Sequence, residues 1–130
     1  MKIDEKKLGE IAKKFKIKYI VLFGSYTKNY VWKESDVDIA VKIEKLPSAF
    51  EEELRLKVNI EKGIEKLVKK DVEVVFINEL NPGFKFEIIS EGKLLFVENK
   101  EEWIEDKARI IASYHDYKEF IREFEEKLMR

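Results

Sequence analysis

At 130 residues the chain is long enough for one hydrophobic core, burying about 60–70% of its unfolded surface, and too short for a large multidomain machine. Its 26 Lys+Arg nearly balance 27 Asp+Glu, and a net charge of -1 argues against extensive, sequence-independent nucleic-acid binding, which needs a basic face to release counterions. With no Cys, disulfides, thiolate zinc sites and cysteine nucleophiles are excluded.

In chain order, the opening Met1-Lys2-Ile3-Asp4 runs into charge rather than an apolar stretch, so no signal peptide is predicted. Residues 4–14 read as a helix, with Leu8, Ile11 and Phe15 on one side and lysines opposite. Lys18 to Phe23 is a short apolar run ended by Gly24, which suits a buried strand. Asp36 to Ile43 is a second strand. Ser48 with Glu51 forms a capping-box pattern ahead of a long amphipathic helix reaching about Lys69. Asp71 to Ile77 is a third strand. Asn81 and Pro82 read as an N-cap and a first-turn proline, and Gly92 stops that helix. Lys93 to Glu98 is a short fourth strand, after which Asn99 and Glu102 offer a second capping pair for a helix that runs to the end. This alternation predicts an α/β (α+β) sandwich with helices covering a small sheet. No repeat, low-complexity tract or linker interrupts it, so a single domain is expected: a core over residues 1–98 and a C-terminal helix over 99–130. No apolar run approaches the roughly 20 residues needed to span a bilayer, so no membrane partner is expected.

The last helix carries its own signal. Ile110, Tyr114, Tyr117, Ile121, Phe124 and Leu128 recur at spacings of four and three, forming a single apolar seam. From Lys100 to Leu128 such a helix is about 43 Å long, whereas a compact domain of this size is about 36 Å across. Either the seam packs wholly on the sheet, or its distal part docks a partner or a second copy.

The chemistry concentrates in one segment: Gly24-Ser25, ten intervening residues, then Asp36-Val37-Asp38. Two apart on a strand, Asp36 and Asp38 leave the same face, while Val37, Ile39 and Val41 fill the other. Two carboxylates so placed repel each other unless a cation lies between them. Oxygen-only ligation with open positions suits Mg²⁺ or Mn²⁺, which retain waters and accept substrate phosphates. A turn at Gly24-Ser25, just after a buried strand, exposes backbone N–H groups as a phosphate cradle, and the Ser25 hydroxyl can donate to a phosphate oxygen. The third strand offers two candidates for a further carboxylate, Asp71 and Glu73. Glu73 is preferred because it lies inside the strand, where an unpaired charge is costly. A phosphate site beside a carboxylate pair is a template for metal-assisted phosphoryl or nucleotidyl transfer.

This spacing of Gly24-Ser25 and Asp36-Val37-Asp38 resembles the signature of the DNA polymerase β-type nucleotidyltransferase superfamily. The length and the pattern beyond the motif resemble its minimal nucleotidyltransferase (MNT) branch, small antitoxins paired with HEPN-domain ribonuclease toxins. The likeness takes in Ser35, the Asn81-Pro82 helix leading to Gly92-Lys93-Leu94-Leu95-Phe96, and Arg109, Tyr114, Asp116 and Tyr117. It implies a nucleotidyltransferase fold and a two-metal mechanism on Mg·ATP. Asp36 and Asp38 would hold the metals, Glu73 would take the third-carboxylate role, and Gly24 and Ser25 would grip the triphosphate. Attack on the α-phosphate would release pyrophosphate, and the implied acceptor is a tyrosine of a cognate HEPN toxin, whose adenylylation silences its RNase activity. Where family members often carry a small residue, Arg and Gly after the Ser, this chain has Thr27, Lys28 and Asn29. Lys28 can still meet a phosphate, and Asn29 tolerates left-handed backbone. Glu73 stands where Asp is usual and is one methylene longer.

The remaining candidates are weaker. His115, the only histidine, reads as a surface residue, and Phe84, Phe86 and Phe96 read as core. Tyr30 and Trp32 lie between Ser25 and Asp36, where an aromatic ring can stack on adenine. The charged 41% of the chain is mostly Lys and Glu, with no Gln, a composition associated with hyperthermophiles. The absence of Cys agrees with a cytoplasmic setting. Three functions compete: adenylyl transfer to a protein, non-catalytic neutralisation of a toxin through the terminal helix, and nucleotidyl transfer to a small molecule.

Overall fold

The computed structural model describes residues 3–24 and 36–129. In chain order the elements are α1 (Glu5–Phe15), β1 (Ile17–Phe23), β2 (Val37–Ile43), α2 (Phe50–Val68), β3 (Val72–Phe76), a 3-10 turn over Ile77–Glu79, α3 (Pro82–Glu91), β4 (Lys93–Val97) and α4 (Lys100–Leu128). Side-chain caps set most of the helix starts. The Asp4 carboxylate accepts from the backbone N–H groups of Lys6 and Lys7, Asn81 from Phe84 and Asn99 from Glu102. The start of α2 differs from expectation: its N-cap is Ala49, with no side-chain cap bond, so Ser48 sits one residue too early to close a capping box. The acidic first turn, Glu51, Glu52 and Glu53, complements the helix dipole there instead.

The strands form one mixed sheet in the order β3-β2-β1-β4, with β1 antiparallel to both β2 and β4 and β2 parallel to β3. Helices cover both faces. Leu8 and Ala12 of α1 and Ile60 and Ile64 of α2 pack on Ile20, Leu22, Ile39, Val41 and Val74. On the other face, Ile88 of α3 and Ile110 of α4 meet Tyr19, Val21 and Ala40. Covered on both sides, β1 is buried almost throughout, which is why it reads as a continuous apolar run. The outer edge of β3 is blunted by α2: the Val72 and Val74 N–H groups donate to the carboxylates of Glu65 (3.3 Å) and Glu61 (2.9 Å).

Gly92 ends α3 for a reason other than a left-handed cap. Its φ is -77°, and a β-carbon there would overlap both the Ile88 carbonyl and the Val21 side chain, so glycine is required by close approach to β1. Of the three phenylalanines expected in the core, Phe86 and Phe96 pack against it, but Phe84 is exposed and rests edge-to-face on Phe23.

Helix α4 docks by its first half only. Trp103 packs edge-to-face on Tyr19, whose hydroxyl donates to Asp106, and Tyr114 stacks on Phe86. Beyond Tyr117, which lies beside Gly83, the seam leaves the body of the protein: Phe120, Phe124 and Leu128 are 62%, 52% and 69% exposed. Full packing on the sheet is therefore ruled out. Among the described residues, no helix is long and apolar enough to cross a membrane.

Candidate active site

The site is built where β1 leaves the sheet. Phe23, its last residue, pairs with Asp38 on β2, and Asp38 in turn pairs with Glu73 on β3. One row across the sheet thus carries the end of β1, an aspartate and a glutamate. Asp36 immediately precedes β2, which begins at Val37 rather than at Asp36. Alternation sends Val37, Ile39 and Val41 into the apolar core, each 0% exposed, and Asp36 and Asp38 to the opposite face. The turn into β2 is fixed by the Val37 N–H, which donates to the Asp71 carbonyl at 2.8 Å.

Gly24 follows with φ +79°, a left-handed conformation that side chains other than Gly, Asn and Asp rarely adopt. A β-carbon at Gly24 would collide with the Asp38 carboxylate. Glycine therefore serves two ends here, turning the chain and bringing its backbone against the carboxylate.

The electrostatics are unbalanced toward negative charge. Burial, together with the negative charges of Asp36 and Glu73, pushes the Asp38 carboxyl above the usual carboxylate range. Glu73 itself is not interior: β3 is an edge strand, and the side chain is 54% exposed, with Lys57 Nζ at 3.1 Å. Burial cost therefore gives no ground for preferring Glu73 to Asp71; Glu73 is the residue in register with Asp38. Among the described residues, Lys57, 4.0 Å from Glu61 as well, is a site neighbour that sequence reasoning missed. Its i,i+4 pairing with Glu61 on the helix flanking β3 was the available signal. Of the other predicted contacts, Ser25 and Lys28 lie outside the described residues, as do Thr27, Asn29, Tyr30, Trp32 and Ser35. His115 is exposed on α4, its ring beside that of Tyr114.

Asp36, Asp38 and Glu73 each carry oxygen donors of the kind that suits a hard divalent cation retaining waters. Among the described residues, however, no group of three or more acidic or histidine side chains is placed to hold a metal ion. Two aspartates on one face with excess negative charge around Asp38 fit a cation that takes the rest of its coordination from substrate phosphates.

Residues 6–101 match the family described as Polymerase beta, Nucleotidyltransferase. The protein adenylyltransferase MntA of Thermococcus cleftensis is 30% identical over 82 residues, spanning 63% of this chain and 78% of that protein. Among solved structures, a toxin–antitoxin crystal structure with AMP-PNP superposes with a TM-score of 0.75 at 18% identity, covering 98% of this chain and 100% of that one. The MNT antitoxin in complex with a tri-AMPylated Shewanella oneidensis HEPN toxin gives 0.69 at 18% identity, covering 97% and 96%. Those two likenesses establish the nucleotidyltransferase fold.

Proposed function

This chain belongs to the polymerase β nucleotidyltransferase family, and from that premise we propose that it is an antitoxin transferring AMP from ATP to a tyrosine of a HEPN-domain toxin. One observation carries the reading: Asp38 stands between the Gly24 turn and Glu73, with Asp36 on the same face. The similarity to an MntA adenylyltransferase, and to antitoxins crystallised with AMP-PNP or with an AMPylated HEPN toxin, supplies the donor and the class of acceptor.

In this mechanism the backbone at Gly24, with Ser25 and Lys28, grips the triphosphate. Asp36 and Asp38, with Glu73 alongside, would hold Mg²⁺ or Mn²⁺, which would supply neutralisation of triphosphate charge and polarisation of the α-phosphate. The acceptor oxygen forms a bond to the α-phosphorus as the bond to the β-phosphate oxygen breaks, and pyrophosphate leaves. The acceptor's hydroxyl proton passes to a site carboxylate. Glu73, 54% exposed and paired with Lys57, is open to an incoming protein side chain.

The test is intact-mass spectrometry of a HEPN toxin incubated with this protein, ATP and Mg²⁺. Mass gains in AMP steps are expected, and Asp36→Asn and Asp38→Asn are each expected to abolish them without lowering the melting temperature. A stable complex with no mass gain would overturn the enzymatic reading in favour of non-catalytic neutralisation.

A further inference from the structure

The exposed end of α4 carries a pattern that the catalytic reading leaves unused. Written as heptads, Tyr114, Ile121 and Leu128 take the a positions and Tyr117 and Phe124 the d positions. The seam is covered by α3 as far as Tyr117, and Phe120, Phe124 and Leu128 stand largely exposed beyond it. Lys118 and Glu125 flank the seam at e, and Phe120 and Lys127 flank it at g. Arg122 pairs with Glu119 and Glu126 on the outer face of the helix. Among the described residues, Lys118 and Glu125 enter no ion pair within the chain.

We propose that this segment pairs antiparallel with the same segment of a second copy. In an antiparallel pair of helices, a faces d, e faces e and g faces g. Setting Ile121 opposite Phe124 of the partner subunit also brings Leu128 of the partner subunit to the part of Tyr117, 37% exposed, that α3 leaves open. The same register places Lys118 against Glu125 of the partner subunit, and Phe120 against the stem and ammonium of Lys127 of the partner subunit. Two-fold symmetry makes each of these contacts twice. The parallel alternative sets g against the following e, which opposes Phe120 to Glu125 and leaves both signs of charge unmatched. Self-complementarity about a point between Ile121 and Phe124 is the feature that selects a second copy as the occupant, because a different protein needs no such symmetry in this sequence. The exposed stretch from Lys118 to Leu128, about one and a half heptads per helix, buries less than the roughly 800 Å² per partner of a standard interface, so the dimer is reversible and grows with concentration.

Sedimentation equilibrium of the full chain, from micromolar to submillimolar concentration, tests this. The mass is expected to rise from 15.5 kDa toward twice that value. Phe124→Glu is expected to hold the chain monomeric with unchanged helical circular dichroism. Lys118→Glu and Glu125→Lys, both at exposed positions, are each expected to weaken dimerisation about five- to tenfold, since two pairs turn repulsive at once, and the double swap to restore it. A wild-type monomer across the whole range would overturn the proposal, as would a double swap no tighter than the single ones. So would a monomeric chain whose Phe124→Glu variant fails to bind a HEPN toxin, an outcome that assigns the seam to a different protein.

Discussion

At Gly24, backbone conformation and site chemistry meet in one residue. Its φ of +79° costs an L-residue about 1–2 kcal/mol, and the space a methyl group needs is taken by the Asp38 carboxylate. Gly24→Ala is therefore expected to lower stability by about 1–2 kcal/mol. Adenylyl transfer should fall more steeply, because Asp38 must move to admit the methyl; urea unfolding and intact-mass assays on the same preparations separate the two losses. Retention of full transfer by Gly24→Ala would show that the carboxylate and the turn are not tied together. The Gly-Ser…Asp-x-Asp spacing was legible in the sequence because period-two alternation alone puts Asp36 and Asp38 on one face. What was not legible was the contact between Gly24 and Asp38, which exists only because β1 and β2 pair in a register that sets Phe23 beside Asp38. Nor could the sequence show that β3 ends up at the sheet edge, which turns Glu73 outward to Lys57.

Helix starts in this chain carry a local side-chain signal more often than helix ends do. Asp4, Asn81 and Asn99 each place a side-chain oxygen on backbone N–H groups two or three residues further on, a local interaction that any reading of the chain can find. Helix ends are set differently. Both α1 and α2 stop at a lysine in the left-handed conformation, Lys16 at φ 55° and Lys69 at φ 56°, where glycine is the usual choice. At Gly92, where glycine does occur, the backbone is extended and the residue is small because β1 lies against it. The two kinds of glycine are indistinguishable in sequence, since one answers to a dihedral angle and the other to a neighbouring strand. The caps yield a prediction of gain rather than loss. Relief of the left-handed strain outweighs the added freedom of the unfolded chain, so Lys16→Gly and Lys69→Gly are each expected to stabilise by a few tenths to about 1 kcal/mol. The two sites lie at different helix ends, so the gains should add in the double variant. Thermal unfolding measures this, and a loss at either position would mean that the lysine stem contributes packing that offsets its backbone strain.

Across the whole molecule, the sheet and the last helix are joined by contacts between residues far apart in sequence. Tyr19 on β1 and Asp106 on α4 are 87 residues apart, and the phenol donates to the carboxylate beneath the Trp103 ring. Lys42 (3.9 Å) and Arg109 (3.5 Å) balance the Asp106 charge from the sheet and from the helix itself. No periodicity predicts this junction; the sequence showed an apolar seam on α4 but not where the helix leaves the body, which depends on how far α3 reaches along it. The junction has a pH signature. Burial, the hydrogen bond to Asp106 and the Asp106 charge all raise the Tyr19 phenol above its ordinary value, so the folded state holds this proton more tightly than the unfolded chain does. The resulting stabilisation is fully present below the unfolded value of about 10 and is lost as pH rises above it, at up to about 1.4 kcal/mol per pH unit. Tyr19→Phe keeps the ring against Trp103 and removes both the hydrogen bond and the titration. At pH 8 the variant is expected to be about 1.5–3 kcal/mol less stable to urea than the parent protein, the range for a hydrogen bond to a charged group. Raising the pH to 11 should then narrow that difference, because only the parent loses the contribution of Tyr19 while both share the titration of the surface lysines. A stability difference that stays constant from pH 8 to 11 would show that Tyr19 holds α4 through its ring alone, and that Lys42 and Arg109 suffice to keep Asp106 in place.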